Sequence, residues 1–330
     1  MLTAKIGIIG IGNMGRIHAR ILSSLDSLAG VTDIDFENAK TVAENYDVMA
    51  YEDYNHMLDE LALDGVIVST PTSTHADIAT EVVNNHNLKG IMIEKPLAST
   101  LIEGEQLMKS IRKKGMGGVV CHSEIYNPVV DRALAMIGEG AIGETKVAIH
   151  DRRGFVHPSR IPSLGDVFED LGVHDFDIMA RMNTGPAKVY AQGNLSEGVY
   201  NSGTVLVKFK DGVQHSFHLS REYAGRSRSM DVSGTKGALV LDLLGQIIKV
   251  KDLDQEPSAG DRTIRLPERG ATIKVYGEPI LEAIKDFIRV IKTGSEPIVG
   301  LEDGINALRV VEAARESAKT GDVIDLKIHG

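Results

Sequence analysis

Three stretches carry residues whose types and spacing suit chemistry. Ile91-Met92-Ile93-Glu94-Lys95-Pro96-Leu97 is an apolar, strand-type run that stops at a carboxylate, an ammonium and a proline. Open α/β sheets bind ligands beyond the carboxyl ends of their strands, so such a run would aim Lys95 into a crevice on a fixed stem. The plainer reading is a salt bridge at a strand exit, since charge clusters mark sites only statistically. Further on, Phe168-Glu169-Asp170-Leu171-Gly172-Val173-His174-Asp175-Phe176-Asp177 reads as a helix with Asp170 and His174 on one face. A carboxylate beside an imidazole fixes its tautomer for general acid–base work; a local hydrogen bond is the alternative. No metal is expected there, because no ligand spacing supports one. Between these stretches, Asp151 to Pro162 holds Arg152, Arg153 and Arg160 in a loop stiffened by Pro158 and Pro162. Arginine suits bidentate binding of phosphate or carboxylate, and a solvated basic loop is the alternative.

The elements that must position these groups begin at the N-terminus. The strand Lys5–Ile9 feeds into Gly10-Ile11-Gly12-Asn13-Met14-Gly15, a G-x-G-x-x-G between a strand and a helix predicted from Met14 to Leu28. Gly10 serves the tight turn, Gly12 the approach of a pyrophosphate and Gly15 the helix–strand packing. The helix start, at Asn13 and Met14, turns N–H groups and a positive dipole end towards the phosphates. Asp33 ends the second strand, where an acid accepts from ribose hydroxyls and repels a 2′-phosphate; NAD is expected over NADP. Asp35 reads as the N-cap of a helix over Phe36–Asn45. Strand runs recur at Val48–Tyr51, Gly65–Ser69, Gly90–Glu94 and Gly118–His122. Thr100 to Glu103 forms a capping box and Gly115 closes that helix. Strands alternating with helices predict a doubly wound parallel sheet, whose strand ends also carry Thr70, Pro71 and His75. His75 is expected to orient the cofactor loop. Cys121 reads as a small hydrophobe at a strand end.

The expected division is a dinucleotide-binding domain over 1–122 and a second domain over 123–330, the latter opened by Asn127 as N-cap and Pro128 at the first helical position. Period-two runs at Lys146–His150, Lys188–Gly193, Gly203–Phe209, Val213–Ser220, Met230–Ser233, Ala238–Leu243, Ile247–Val250 and Thr263–Leu266 predict an open, mostly antiparallel sheet. Two helices, Glu278–Lys292 and Glu302–Lys319, close the chain, stopped by Gly294 and Gly321. The fold class is α/β followed by α+β.

Composition bounds the function classes. At 330 residues, 42% apolar and 25% charged, the chain suits two globular domains. Its apolar runs are strand-length, too short for a bilayer, and the first strand follows Met1 too closely for a signal peptide. A single cysteine fits a reducing compartment, so a cytoplasmic protein is expected. A net charge of −10 argues against a nucleic-acid partner, yet leaves room for a local cationic pocket.

In order along the chain, Gly10–Gly15, Asp33, Thr70-Pro71 with His75, Glu94-Lys95-Pro96-Leu97 and Asp170-Leu171-Gly172-Val173-His174-Asp175 resemble the glucose-fructose oxidoreductase/inositol dehydrogenase/MocA family. The resemblance covers essentially the whole length. It implies hydride transfer at a sugar or polyol carbon, with Lys95, Asp170 and His174 as the catalytic set. It implies a cofactor set of Gly10, Gly12, Asn13, Met14, Gly15, Asp33, Thr70, Pro71, His75, Glu94 and Lys95. It also implies association into a homodimer or homotetramer through the C-terminal sheet. Glu124-Ile125-Tyr126-Asn127-Pro128-Val129-Val130, Arg160-Ile161 and Arg226-Ser227-Arg228 are similar to the UDP-N-acetylglucosamine 3-dehydrogenase branch. That likeness implies a nucleotide-sugar substrate met by Lys95, Glu124, Arg153, Arg160 and His174. His174 and Lys95 are the two alternatives for the base. A glycosidase that retains NAD and a non-catalytic sensor are the rival classes.

Overall fold

The computed structural model describes residues 3–196, 198–252 and 270–329, so the strand expected over Thr263–Leu266 lies outside the described residues. Contacts divide the chain into two compact units. Unit 1 comprises Met1–Ser123 with Glu278–Leu308, and unit 2 comprises Glu124–Gly277 with Arg309–Gly330. A single cut near residue 122 therefore misses the return of the C-terminal segment to unit 1.

Unit 1 contains strands β1 (Ile6–Ile9), β2 (Leu28–Thr32), β3 (Met49–Tyr51), β4 (Gly65–Val68), β5 (Gly90–Glu94) and β6 (Gly117–Cys121). They pair in parallel in the order β3-β2-β1-β4-β5-β6, the strand order of a dinucleotide-binding sheet. The helices interleaved with them are α1 (Asn13–Ser24), α2 (Phe36–Tyr46), α3 (Tyr54–Glu60), α4 (His75–Asn85) and α5 (Leu101–Lys114). Strands β1, β4 and β5 are buried at every residue, as in parallel sheets covered on both faces. Helix α1 is shorter than its sequence suggests. It stops at Ser24 because Asp26 turns into the left-handed region (φ 52°) and Leu28 enters β2 to pair with Ile6. The Thr100 hydroxyl accepts from the Glu103 N–H at 3.2 Å and the Glu103 carboxylate accepts from the Thr100 N–H at 3.1 Å. This reciprocal cap is worth about 1 kcal/mol and starts α5 where the sequence places it.

A row of glycines explains the return of the chain. Gly65 pairs with Gly90 and Gly90 with Gly117, so three strands lack side chains at one level of the sheet. Phe287, Val290 and Ile291 of α8 (Pro279–Thr293) fill that groove: a Cβ on Gly65, Gly90 or Gly117 would come within 2.6, 2.9 or 2.5 Å of them.

Unit 2 holds α6 (Pro128–Gly138), α7 (Val173–Met182) and the later part of α9 (Leu301–Thr320). Its strands are β7 (Thr145–Phe155), β8 (Gly185–Ser196), β9 (Val199–Phe209), β10 (Gln214–Ser220), β11 (Glu222–Gly234), β12 (Gly237–Asp242), β13 (Ile247–Asp252), β14 (Thr272–Lys274) and β15 (Ile324–Ile328). Among the described residues the sheet order is β14-β13-β12-β11-β7-β10-β9-β8-β15, antiparallel throughout except for β7 beside β10. Strands β14 and β15 were not expected: one is three residues long, and the other alternates apolar residues with charges at the chain end. Strand β7 runs five residues past His150, through the stretch read as a cationic loop. Pairing on both edges, Arg152 with Leu219 and with Arg228, overrides its polar composition. One face of the sheet packs on Phe168, Phe176, Val310 and Val311, which join Val205, Val207, Phe217 and Leu219 in a single core.

Candidate active site

In unit 1 the glycine loop has the geometry a dinucleotide needs. Gly10 adopts φ +93°, where a side chain is strained, and its Cβ would meet the Ser69 carbonyl carbon and Thr70 at 2.8 Å. A Cβ on Gly15 would fall 2.1 Å from the Gly10 carbonyl oxygen. At Gly12 the same atom meets nothing within 4 Å, and α1 starts there without a side-chain cap. Open space above N–H groups that no side chain satisfies fits a pyrophosphate. Asn13 is exposed and Met14 half-buried in the first turn. The Asp33 carboxylate accepts from the Ile11 N–H at 2.5 Å and from the Asp35 N–H at 2.9 Å, which ties the tip of β2 to the glycine loop. These residues therefore fit NAD.

Lys95 sits at the carboxyl end of β5, half-buried, with Glu94 and Pro96 buried on either side. Glu94, expected at the cofactor, is instead turned inward at 5% exposure. Its carboxylate accepts from His18 Nε2 at 2.7 Å and from the Lys95 backbone N–H at 3.1 Å. Burial would raise the Glu94 pKa; hydrogen bonds from His18 and the Cys121 thiol, with the charge of Lys95, outweigh it and hold the group below its usual value. Burial and the same carboxylate push the Cys121 thiol well up, so it remains a donor. His18, Glu94 and Cys121 place ligand-type atoms within 4.8 Å of one another. Metal ligation requires the thiolate, which this environment opposes, and the hydrogen bonds account for the cluster. His75, also expected at the cofactor, is 1% exposed, and its ring nitrogens lie 2.8 Å from the Pro96 and Thr70 carbonyl oxygens. Thr70 is half-buried and Pro71 exposed beside it.

In unit 2 the expected single helix over Phe168–Asp177 is two elements, a turn of π-helix at Phe168–Gly172 followed by α7. Wide turns of this kind are frequent at functional sites. Here Asp166 accepts from the Phe168 and Glu169 N–H groups at 3.0 Å, and Phe168 and Phe176 are both sunk in the core. Asp170 lies in the wide turn and His174 in the first turn of α7, each incompletely buried amid buried neighbours. Arg221, fully buried, places Nη1 3.8 Å from an Asp170 oxygen and donates from Nη2 to Asn201 at 3.0 Å. The residue after His174 is clamped: Asp175 accepts from Arg152 Nε at 2.6 Å and Nη2 at 3.2 Å. Burial would raise the Asp175 pKa, but the Arg152 charge and His150 bring it down to about 2.

Arg152 and Arg153, expected together in one loop with Arg160, are separated by the pleat of β7. Successive residues of a strand face opposite sides. Arg152, with Ala148 and His150, faces the core and α7, whereas Arg153 faces away. Arg153 is bound to Asp151, stacks 4.5 Å over Tyr223 and borders a cavity of about 470 Å³ with Gln192, Thr204 and His218. Glu124 is likewise no open substrate group: at 5% exposure it accepts from Arg152 Nη1 at 2.9 Å and Arg228 Nη1 at 3.0 Å. Arg160 is exposed on the 3-10 turn Pro158–Ser163. Sequence reading missed His18 and Arg221, and it named Arg228 only within Arg226-Ser227-Arg228, without its contact to Glu124. His18 was legible as a polar residue on the stripe Gly15, His18, Ala19, Leu22 that α1 buries.

Comparison with known proteins accords with this geometry. Residues 4–121 match the family model described as "Oxidoreductase family, NAD-binding Rossmann fold", and residues 130–240 match the GFO/IDH/MocA C-terminal domain. Myo-inositol 2-dehydrogenase of Thermotoga maritima is 26% identical, over 95% of this chain and 96% of its own. UDP-N-acetylglucosamine 3-dehydrogenase of Acidithiobacillus ferrooxidans is 25% identical, over 95% of this chain and 96% of its own. A solved structure of the latter enzyme superposes with a TM-score of 0.85 at 23% identity, covering 97% of this chain and 98% of that one. Together with the glycine loop and the sheet order, the two domain matches make this chain a member of the Gfo/Idh/MocA family of NAD-binding oxidoreductases.

Proposed function

We propose that the protein is an NAD-dependent dehydrogenase of a secondary hydroxyl on a sugar, and that the substrate is a nucleotide sugar of the UDP-N-acetylglucosamine type, oxidised at the 3-hydroxyl. The observation that carries the reading is Lys95, held half-buried at the end of β5 between buried Glu94 and Pro96. Bound NAD supplies the hydride acceptor. The chain supplies the rest. Lys95 donates a hydrogen bond to the hydroxyl oxygen and lowers the cost of the negative charge that develops there. His174 takes the hydroxyl proton, and Asp170 keeps the imidazole in register for that transfer. Of the three arginines in the stretch 151–162, Arg160 is left as the exposed cation for a diphosphate, since Arg152 is locked into the core and Arg153 is on the other face. The full-length relative that acts on UDP-N-acetylglucosamine supports this substrate class.

A second reading, a free inositol or sugar, has its own support in the relatives named inositol dehydrogenases. We also place association between copies on the outer face of the unit 2 sheet, where Val147, Ile149 and Leu206 are exposed. The test is NADH formation at 340 nm with a panel of UDP-sugars, free sugars and inositols. Turnover of UDP-N-acetylglucosamine supports the first reading. Turnover of myo-inositol alone replaces it with the second and removes the diphosphate role of Arg160. Sugar-bond cleavage without net NADH would replace both with a glycosidase.

A further inference from the structure

Lys95 is held from both sides by buried histidines that no part of the reaction above uses. On its N-terminal side, His18 of α1 reaches Glu94 at 2.7 Å, and the other Glu94 oxygen accepts the Lys95 backbone N–H at 3.1 Å. On its C-terminal side, His75 at the start of α4 stands 2.8 Å from the carbonyl oxygen of Pro96 and 2.8 Å from that of Thr70. His18 is 0% and His75 1% exposed, so neither reaches solvent or a ligand. A His on a helix stripe is an uncommon core residue unless its nitrogens are used. Here one nitrogen of each ring meets a residue that flanks the same lysine, His18 Nε2 at Glu94 and His75 Nδ1 at Pro96. The same contacts join that lysine to the helix that opens at the glycine loop and to the strand end at Thr70. We propose that His18 and His75 are positioning residues for Lys95, acting through Glu94 and Pro96.

The physical content is orientation. A lysine side chain has four rotatable bonds, and only its backbone and stem can be fixed without burying the ammonium. Fixing the backbone on both sides sets where the stem begins. A displacement of about 1 Å in a reacting group costs on the order of 100-fold in rate.

This inference rests on the reading of Lys95 as a catalytic residue, and the experiment separates the two. His18→Leu and His75→Leu are made alone and combined with Lys95→Met. Each single histidine variant is expected to lower kcat about 100-fold while NAD affinity stays within about threefold. In the Lys95→Met background neither is expected to lower kcat further, because the group they position is gone. His18→Gln, which keeps a donor at the reach of Nε2, is expected to restore most of the rate. A second readout needs no substrate. The rate at which an amine-reactive reagent labels Lys95, followed on its peptide by mass spectrometry, should rise in the leucine variants and not in His18→Gln. If a leucine variant does not fold, His18→Asn, too short to reach Glu94, takes its place. Folded histidine variants with wild-type kcat and unchanged labelling overturn the positioning role. Wild-type kcat in Lys95→Met overturns the reading of Lys95 itself, whatever the histidines do.

Discussion

Arg152 holds Asp175 with two hydrogen bonds, 2.6 Å from Nε and 3.2 Å from Nη2, with both side chains buried and Asp175 next in sequence to His174. Breaking a buried pair by removing one partner leaves an uncompensated charge, at about 3–5 kcal/mol. Asp175→Asn should therefore lower the unfolding free energy by that order in urea titrations, and a loss below about 1 kcal/mol would contradict the clamp. Because the pair draws the Asp175 pKa from 3.8 down to about 2, its stabilisation is present above pH 3.8 and lost as pH falls towards 2. The wild type should lose stability across that window, and the Asn variant should lose less.

Lys95→Met should cut kcat by about 100-fold or more, the scale seen when one transition-state donor is removed, with NAD binding nearly intact. Steady-state kinetics with the substrate found in the panel, together with NAD titration by fluorescence, check this. Wild-type turnover would remove Lys95 from the mechanism.

Gly12 and Gly15 should separate binding from folding. A methyl on Gly12 meets nothing of the protein within 4 Å, so Gly12→Ala should keep its melting temperature while NAD affinity falls by about tenfold. A methyl on Gly15 collides with the Gly10 carbonyl oxygen at 2.1 Å, so Gly15→Ala should lower the melting temperature as well. Equal thermal shifts in the two variants would contradict this division.

Asp33→Ala should weaken NAD and relax the discrimination against NADP, measured as the ratio of kcat/KM for the two cofactors. The ribose contact and the repulsion of a 2′-phosphate are both lost. The variant also releases the Ile11 N–H that Asp33 accepts, so the glycine loop loses a tie. An unchanged ratio would place the ribose contact elsewhere.

The sequence by itself was sufficient for what local rules dictate. The glycine loop, the alternation of strands and helices, the Thr100 cap and the Asn127-Pro128 helix start follow from turn sterics, periodicity and orphan N–H groups, which neighbours along the chain determine. The place of Lys95 at a strand exit was legible because an apolar run ending in charges needs no distant partner to be recognised. Tertiary structure decided the rest. The glycine row that receives Phe287 and Ile291 joins residues far apart in sequence, so the return of α8 to unit 1 could not be read locally. Whether Arg152 or Arg153 faces α7 depends on the register of β7 between β10 and β11, and a shift of one residue would exchange them. Glu94 looked like a ligand group and His18 like nothing in particular, until the packing of α1 beside β5 brought their side chains within 2.7 Å. A buried polar group finds its partner through the fold, and no spacing in the chain records which partner that is.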